Sequence, residues 1–206
     1  MCSTRTRASP ESSPVSGRAN AHGSVADPSP WVVRFAALVP PASRVLDVAC
    51  GFGRHARLFA AQGCSVDAVD VDASCASAFN DEPLIAFKRA DLEHSPWPYR
   101  GRQFDAIVVT NYLHRALFPT LADALAPGGV LIYETFAVGN ERYGKPSNPV
   151  FLLRPRELFD VFGVSLHVLA FEEGVTGLPR AARVQRLAAV RPGRARDAFL
   201  RLDADR

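Results

Sequence analysis

Five short apolar runs, rich in Val, Ile and Ala, recur along the chain: RVLDVAC (44–50), SVDAVDV (65–71), LIAFKRA (84–90), FDAIVVT (104–110) and VLIYETF (130–136). Strands so continuously apolar are buried on both faces. The first, second and fourth are followed by predicted helices at 53–63, 73–80 and about 113–126. Such crossovers make neighbouring strands parallel. An earlier helix is predicted in SPWVVRFAALVP, with Ser29 as N-cap, Pro30 at the first helical position and Pro40–Pro41 as the stop. A further helix is expected at 154–161, followed by strands at 165–173 and 182–190. The GVTGLPRA link between those two strands is too short for a crossover, so they must be antiparallel. The expectation is an α/β fold: seven strands, mostly parallel, the last antiparallel, with helices on both faces.

The ends of the chain do not share this pattern. Residues 1–28 are rich in Ser, Pro, Arg and Gly and read as a disordered tail. Residues 192–206 read as a charged tail. One domain, 29–191, lies between them, long enough for a full core. The net charge is +3, lysine occurs only at 88 and 145, and no arginine run is dense enough for a nucleic-acid stripe. Cys2, Cys50, Cys64 and Cys75 form no C-x-x-C pair and have no histidine at metal-ligand spacing. They read as reduced thiols of a cytoplasmic protein with no metal site. No apolar run reaches the roughly 18 residues of a membrane span, and none follows the N-terminal arginines as a secretory signal would require.

In such sheets ligands bind beyond the carboxyl ends of the strands. The first strand ends there in Gly51-x-Gly53-x-x-Ala56, a relaxed dinucleotide fingerprint, with Asp70 at the end of the second strand as a ribose-binding acid. On that pattern alone NAD and FAD stay open. Asp47 discriminates between ligands. Strand alternation points Asp47, Ala49 and Gly51 the same way. A buried carboxylate there repels a pyrophosphate and suits a cation. S-adenosylmethionine has no phosphate but carries an ammonium and a sulfonium, and the acid would pair with that ammonium.

With those residues in view, the chain resembles the class I S-adenosylmethionine-dependent methyltransferases, the seven-stranded Rossmann-like family. VLDVACGFG is similar to the family's glycine motif, with Ala49 in place of its first glycine. VDAVDVD, RADLEHSPWP, FDAIVVTNYLH and LAPGGVLIYE match later motifs in order, and the resemblance runs from about 31 to 191. It implies a cofactor site built from Asp47, Ala49, Cys50, Gly51 and Gly53, then Asp70 and Val71, Asp91 and Leu92, and Thr110 and Asn111. Asp70 would accept both ribose hydroxyls and Asp91 the adenine amine. The Leu92 N–H would meet a ring nitrogen, and the carbonyl of Thr110 or Asn111 the ammonium. S-adenosylhomocysteine would be the product.

The acceptor leaves less trace. TNYL lacks the prolines that exocyclic-amine methyltransferases of DNA carry after the fourth strand. A small-molecule acceptor is expected. RNA or protein methylation, or cofactor binding without catalysis in partnership with another protein, are the competing readings. The protein is expected to be a monomer or homodimer away from membranes. Asn111, Tyr112, His114, Arg115, Tyr133 and Glu134 stand on the acceptor side, with His114 as candidate base and Tyr112 as a second catalytic candidate. The long 137–153 segment, carrying Asn140, Glu141, Arg142, Tyr143 and Lys145, is expected to close over the acceptor. Arg54 and His55 begin the helix after the glycines, positioned either to meet the ligand's carboxylate or to sit in solvent.

Overall fold

A computed structural model describes residues 26–177 and 180–193. The proposed tails therefore lie outside the described residues at 1–25 and 194–206. Helix α1 (Pro30–Ala36) precedes strand β1 (Arg44–Val48), and Ser29 Oγ accepts the Trp31 N–H at 3.2 Å as its cap. Next come α2 (Arg54–Ala61), β2 (Ser65–Asp70), a 3-10 turn (Ala73–Phe79) and β3 (Ile85–Arg89). β4 (Phe104–Thr110), α3 (Phe118–Ala124) and β5 (Leu125–Phe136) follow, then α4 (Glu157–Phe162), β6 (His167–Thr176) and β7 (Ala182–Val190).

The strands form one sheet in the order β3-β2-β1-β4-β5-β7-β6. β7 runs antiparallel to both β5 and β6, and all the other pairings are parallel. The order reverses at β1, so a crevice opens beyond the carboxyl ends of β1 and β4. Alternation along β1 divides its side chains between two cores. Leu46 and Val48 join Ile107, Tyr133 and Phe162 on the α3–α4 face. Val45 joins Trp31, Phe59 and Val108 on the α1–α2 face. Asp47 shares that second face.

Besides the helix expected at 73–80, which is 3-10 in form, two elements differ from the sequence expectation. The helix expected over about 113–126 is a 3-10 turn at Arg115–Leu117 followed by the shorter α3. β5 begins at Leu125, not 130: Phe104 pairs with Leu125, and the next pair is Ala106 with Val130. The expected Pro-Gly-Gly turn is therefore a bulge inside β5, where Gly128 has φ +78°. Pairing of Leu125 with Phe104 of the neighbouring β4 takes the place of a last helical turn.

Candidate functional site

The glycine turn is set by backbone conformation. After Val48, Ala49 has φ +53° and Gly51 φ +52°, and Gly53 enters α2 at φ +81°. A Cβ on Gly53 would lie 2.2 Å from the Phe79 ring, so that glycine is required by packing. A Cβ on Gly51 would meet nothing within 4 Å, so this glycine faces open space where a ligand's backbone contact would lie. Ala49 adopts a left-handed conformation with a side chain present, which is strained. Ala49→Gly is therefore expected to raise stability by about 0.5–1 kcal/mol, read as a higher chemical-denaturation midpoint. An unchanged midpoint would mean that Ala49 carries no strain.

Asp47 is 1% exposed. Its Oδ2 accepts the Ala56 N–H at 3.0 Å, which ties β1 to the first turn of α2. Its Oδ1 is buried with no partner among the described residues. Burial pushes this carboxyl up to about 7; the Ala56 N–H and the Arg54 charge pull the other way but do not cancel it. Asp70, at the end of β2, accepts the Gly51 N–H at 2.8 Å on Oδ2 and the Asp72 N–H at 3.0 Å on Oδ1. The same carboxylate thus fixes the glycine turn, and each oxygen keeps a free lone pair. Two apolar side chains nearby in the chain are exposed, Phe52 between the turn's glycines and Val71 after Asp70; Phe52 had no place in the sequence reading. Cys50 is buried, and its thiol is pushed up by burial and the Asp47 charge, so it is not a nucleophile.

Asp91 and Leu92 follow β3. Asp91 Oδ1 accepts the Glu93 and His94 N–H groups at 2.9 and 3.1 Å, and Oδ2 lies 3.0 Å from His94 Nδ1. The carboxylate thus builds a turn and has capacity left on Oδ2 only. No partner for the Leu92 N–H occurs among the described residues. Past β4, Thr110 is buried, and Asn111 has φ +56° with its N–H donating to the Glu134 carbonyl at 2.9 Å.

His55 does not face a ligand. It is 1% exposed; its Nε2 accepts the Ser29 N–H at 3.1 Å, which leaves Nδ1–H to donate to Thr110 Oγ1 at 3.3 Å. Burial pushes it down to about 3. Ser29 Oγ in turn donates to Glu134 Oε1, whose other oxygen accepts from Arg186 Nε at 2.5 Å. This internal network joins α1, α2, β4, β5 and β7. The sequence left the ligand's carboxylate and solvent as alternatives for this ring, and its burial against α1 gives neither. Arg54 stays partly exposed and donates to the Asp27 carbonyl at 3.3 Å.

Several acceptor-side candidates prove to hold the fold. Tyr133 is buried and donates to the Tyr112 carbonyl at 3.0 Å. Arg115 binds Glu157 and donates to the carbonyls of Val150 and Leu152, each at 2.8 Å. Asn140 is buried, its amide donating to the Pro146 carbonyl and its Oδ1 accepting the Arg183 N–H. Tyr112 Oη is buried without a partner among the described residues, and burial, with Glu93 and Asp91 nearby, pushes the phenol up. That phenol is no base near neutrality. His114 opens the 3-10 turn without capping it through its side chain. Beyond β4 and β5 lies a cleft of about 500 Å³, lined by Asn111, Phe136, Lys145, Pro146, Ser147, Asn148, Phe151 and Arg180. Only Asn111 and Lys145 of these were named from sequence. Arg180 sits in the β6–β7 connection, which the sequence presents as a plain turn.

Among the described residues no helix is long and apolar enough to cross a membrane, and no cluster of His, Cys, Asp and Glu could hold a metal ion. Residues 45–129 match the family model described as a methyltransferase domain. Trans-aconitate 2-methyltransferase of Variovorax paradoxus (strain S110) is 35% identical over 101 residues, covering 45% of this chain and 38% of that protein. The chain thus spans well under half the length of this curated relative. TehB from Haemophilus influenzae superposes with a TM-score of 0.66 at 18% identity, over 78% of this chain and 61% of that one. The N-methyltransferase NodS from Bradyrhizobium japonicum WM9 gives 0.61 at 16% identity, over 78% and 94%. These two likenesses establish the fold. The match to the methyltransferase domain runs from β1 into the start of β5 and includes the glycine turn.

Proposed function

We propose that the protein transfers a methyl group from S-adenosylmethionine to a small-molecule acceptor. The observation that carries this reading is Asp47: a wholly buried carboxylate with one oxygen unpartnered, beside a glycine turn open to a ligand. Such an acid is expensive unless a cation meets it, and a dinucleotide's pyrophosphate would be repelled. The residues present fit S-adenosylmethionine. Asp47 would serve its ammonium, and the backbone of Ala49, Cys50 and Gly51 would border its methionine part, with Gly53 keeping the turn tight. Asp70 would accept the ribose hydroxyls, with Val71 beside them. Asp91 Oδ2 and the unpaired Leu92 N–H would face the adenine edge, and the carbonyls of Thr110 and Asn111 the ammonium. The bound sulfonium supplies an electrophilic methyl group. The chain's part is to orient the two reactants and exclude water.

A small acceptor is supported by the acceptor in the name of the Variovorax relative. Thermal stabilisation by S-adenosylmethionine and S-adenosylhomocysteine, with none by NAD or FAD, is the expected result; the reverse pattern sinks the reading. Asp70→Ala is expected to weaken S-adenosylmethionine binding roughly 100-fold, since charge-assisted hydrogen bonds to two hydroxyls are lost together. Calorimetric titration checks it, and parent-like affinity would remove Asp70 from the site.

A further inference from the structure

The glycine turn is held by groups outside it. Gly51 and Gly53 both lie in the left-handed region, and the Phe52 side chain between them is exposed. None of these three residues has a packed side chain to fix the turn, so its peptide groups must be tied from elsewhere. Asp70 takes the Gly51 N–H from the end of β2. The Phe52 carbonyl is taken by Arg57, whose Nη1 donates to it at 2.7 Å.

Arg57 lies one turn into α2, where its own N–H donates to the Gly53 carbonyl at 2.9 Å. Its other two guanidinium nitrogens reach other segments. Nη2 donates to the Ala78 carbonyl, in the 3-10 turn that follows Asp70 and Val71. Nε donates to Glu82 Oε1 at 2.8 Å, in the link to β3. The guanidinium carbon sits 5.7 Å from the centroid of the Phe79 ring. That is the ring which leaves no room for a side chain on Gly53, and it stacks on Phe87 of β3 with centroids 5.4 Å apart. One planar fork thus spans from the glycine turn to the segment beyond Asp70. These are two walls of the proposed cofactor site.

We propose that Arg57 is a positioning residue for S-adenosylmethionine, setting the distance between the glycine turn at the methionine part and the Asp70–Phe79 wall at the ribose. The inference rests on the methyl-transfer reading above. The guanidinium contributes geometry. Three nitrogens in one plane meet three acceptors on three segments, which an ammonium, with all its donors on a single nitrogen, cannot span. Stability is the smaller contribution. The Arg57 and Glu82 side chains are each a little under a third exposed, and ion pairs so open to water add little. A ligand-bordering turn whose supporting contacts are lost becomes loose and binds less well even where the fold is unchanged.

Arg57→Lys keeps the charge and removes the fork. Calorimetric titration of the full chain is expected to show about tenfold weaker binding of S-adenosylmethionine and S-adenosylhomocysteine alike, with the urea midpoint of the free protein close to the parent's. Glu82→Ala, which takes away one of the three anchors, is expected to weaken binding roughly threefold or more. Arg102→Lys is the matched control. That guanidinium also grips a carboxylate, Asp67, at 2.8 and 2.6 Å, and lies over aromatic rings, but it precedes β4 and touches no part of the turn. Its affinity should stay within about twofold of the parent's. Parent-like affinity in Arg57→Lys overturns the inference; should that variant not fold, parent-like affinity in Glu82→Ala overturns it. So does an equal loss in Arg102→Lys, or a loss of affinity that follows a fall in the urea midpoint. Failure of the parent to bind either ligand overturns the methyl-transfer reading itself, so the titration of the parent tells the two failures apart.

Discussion

Asp47→Asn is expected to reduce S-adenosylmethionine affinity about 100-fold or more at pH 8, as loss of a desolvated ion pair does, while the melting temperature of the free protein rises. The two effects have one cause. The Asp47 carboxyl is buried and pushed up to about 7 from an ordinary 3.8. Because its folded value lies above its unfolded value, the folded state holds the proton more tightly, and the group's ionisation weighs against folding. That penalty is absent below about pH 4, grows between 4 and 7, and is complete above. Its size at pH 8 is on the order of 4 kcal/mol. Asn keeps an oxygen for the Ala56 N–H and removes the charge.

Binding has the opposite dependence. An ammonium arriving beside Asp47 draws the ionised form out, so at pH 6 binding should release a proton. Affinity of the parent should rise from pH 6 to pH 8, and that of Asp47→Asn should stay flat. Calorimetry in buffers of different ionisation enthalpy measures the proton directly. A parent with no proton release and no pH slope would mean that Asp47 does not face the cofactor.

His55 adds a contrary slope. Its folded value near 3 lies below its ordinary 6.5, so the stability it contributes is complete above about pH 6.5 and lost as pH falls toward 3. In the parent the two slopes oppose each other between roughly pH 4 and 6.5. With Asp47 neutralised, the His55 slope stands alone, and acid unfolding of Asp47→Asn should be the steeper.

The second large effect is expected at Glu157. Glu157→Ala should lower stability by about 2–4 kcal/mol, somewhat less than a fully buried pair because Arg115 is a third exposed. Glu157 is only 5% exposed in its side chain. It accepts from Arg115 Nε at 2.7 Å and Nη2 at 2.9 Å, and from the Arg154 N–H at 2.8 Å. Burial works to raise its carboxyl, but the donors from Arg115 and Arg154 outweigh it and hold it at about 2. The stability it contributes is complete above its ordinary 4.5 and lost as pH falls through about 2. Arg115, fixed by this pair, is also the clamp on the Val150 and Leu152 carbonyls, next to the Phe151 that lines the cleft. Glu157→Ala is therefore expected to raise KM for the acceptor severalfold while S-adenosylmethionine affinity stays within about twofold of the parent. Urea denaturation and acceptor titration measure the two halves. Equal losses for both ligands would mean general loosening, not release of the loop.

Residue pattern alone carried the strand order of events: the five apolar runs are β1 to β5, and the short link between the last two strands makes them antiparallel. Asp47 and Asp70 were legible because a carboxylate inside or at the end of an apolar strand needs a reason, and each has one in the structure. The Asp91 turn was legible only as a competing possibility, since the same Asp-Leu-Glu-His string serves a ligand or its own backbone. The acceptor side was read poorly. Arg115, Tyr133, Glu134 and Asn140 have the chemistry of a binding site, and the fold uses them as internal ties.

The sequence by itself determined the sheet, its covered faces and the glycine turn, because hydrophobic period and backbone conformation are local properties written in consecutive residues. Only the tertiary structure decided which polar groups are already partnered. That depends on residues such as Ser29 and His55, or Arg115 and Glu157, that are distant in the chain and meet only once the strands are in register. Among the described residues, the groups that pairing leaves without a partner include Asp47 Oδ1, beside the glycine turn where we propose the cofactor's ammonium to lie.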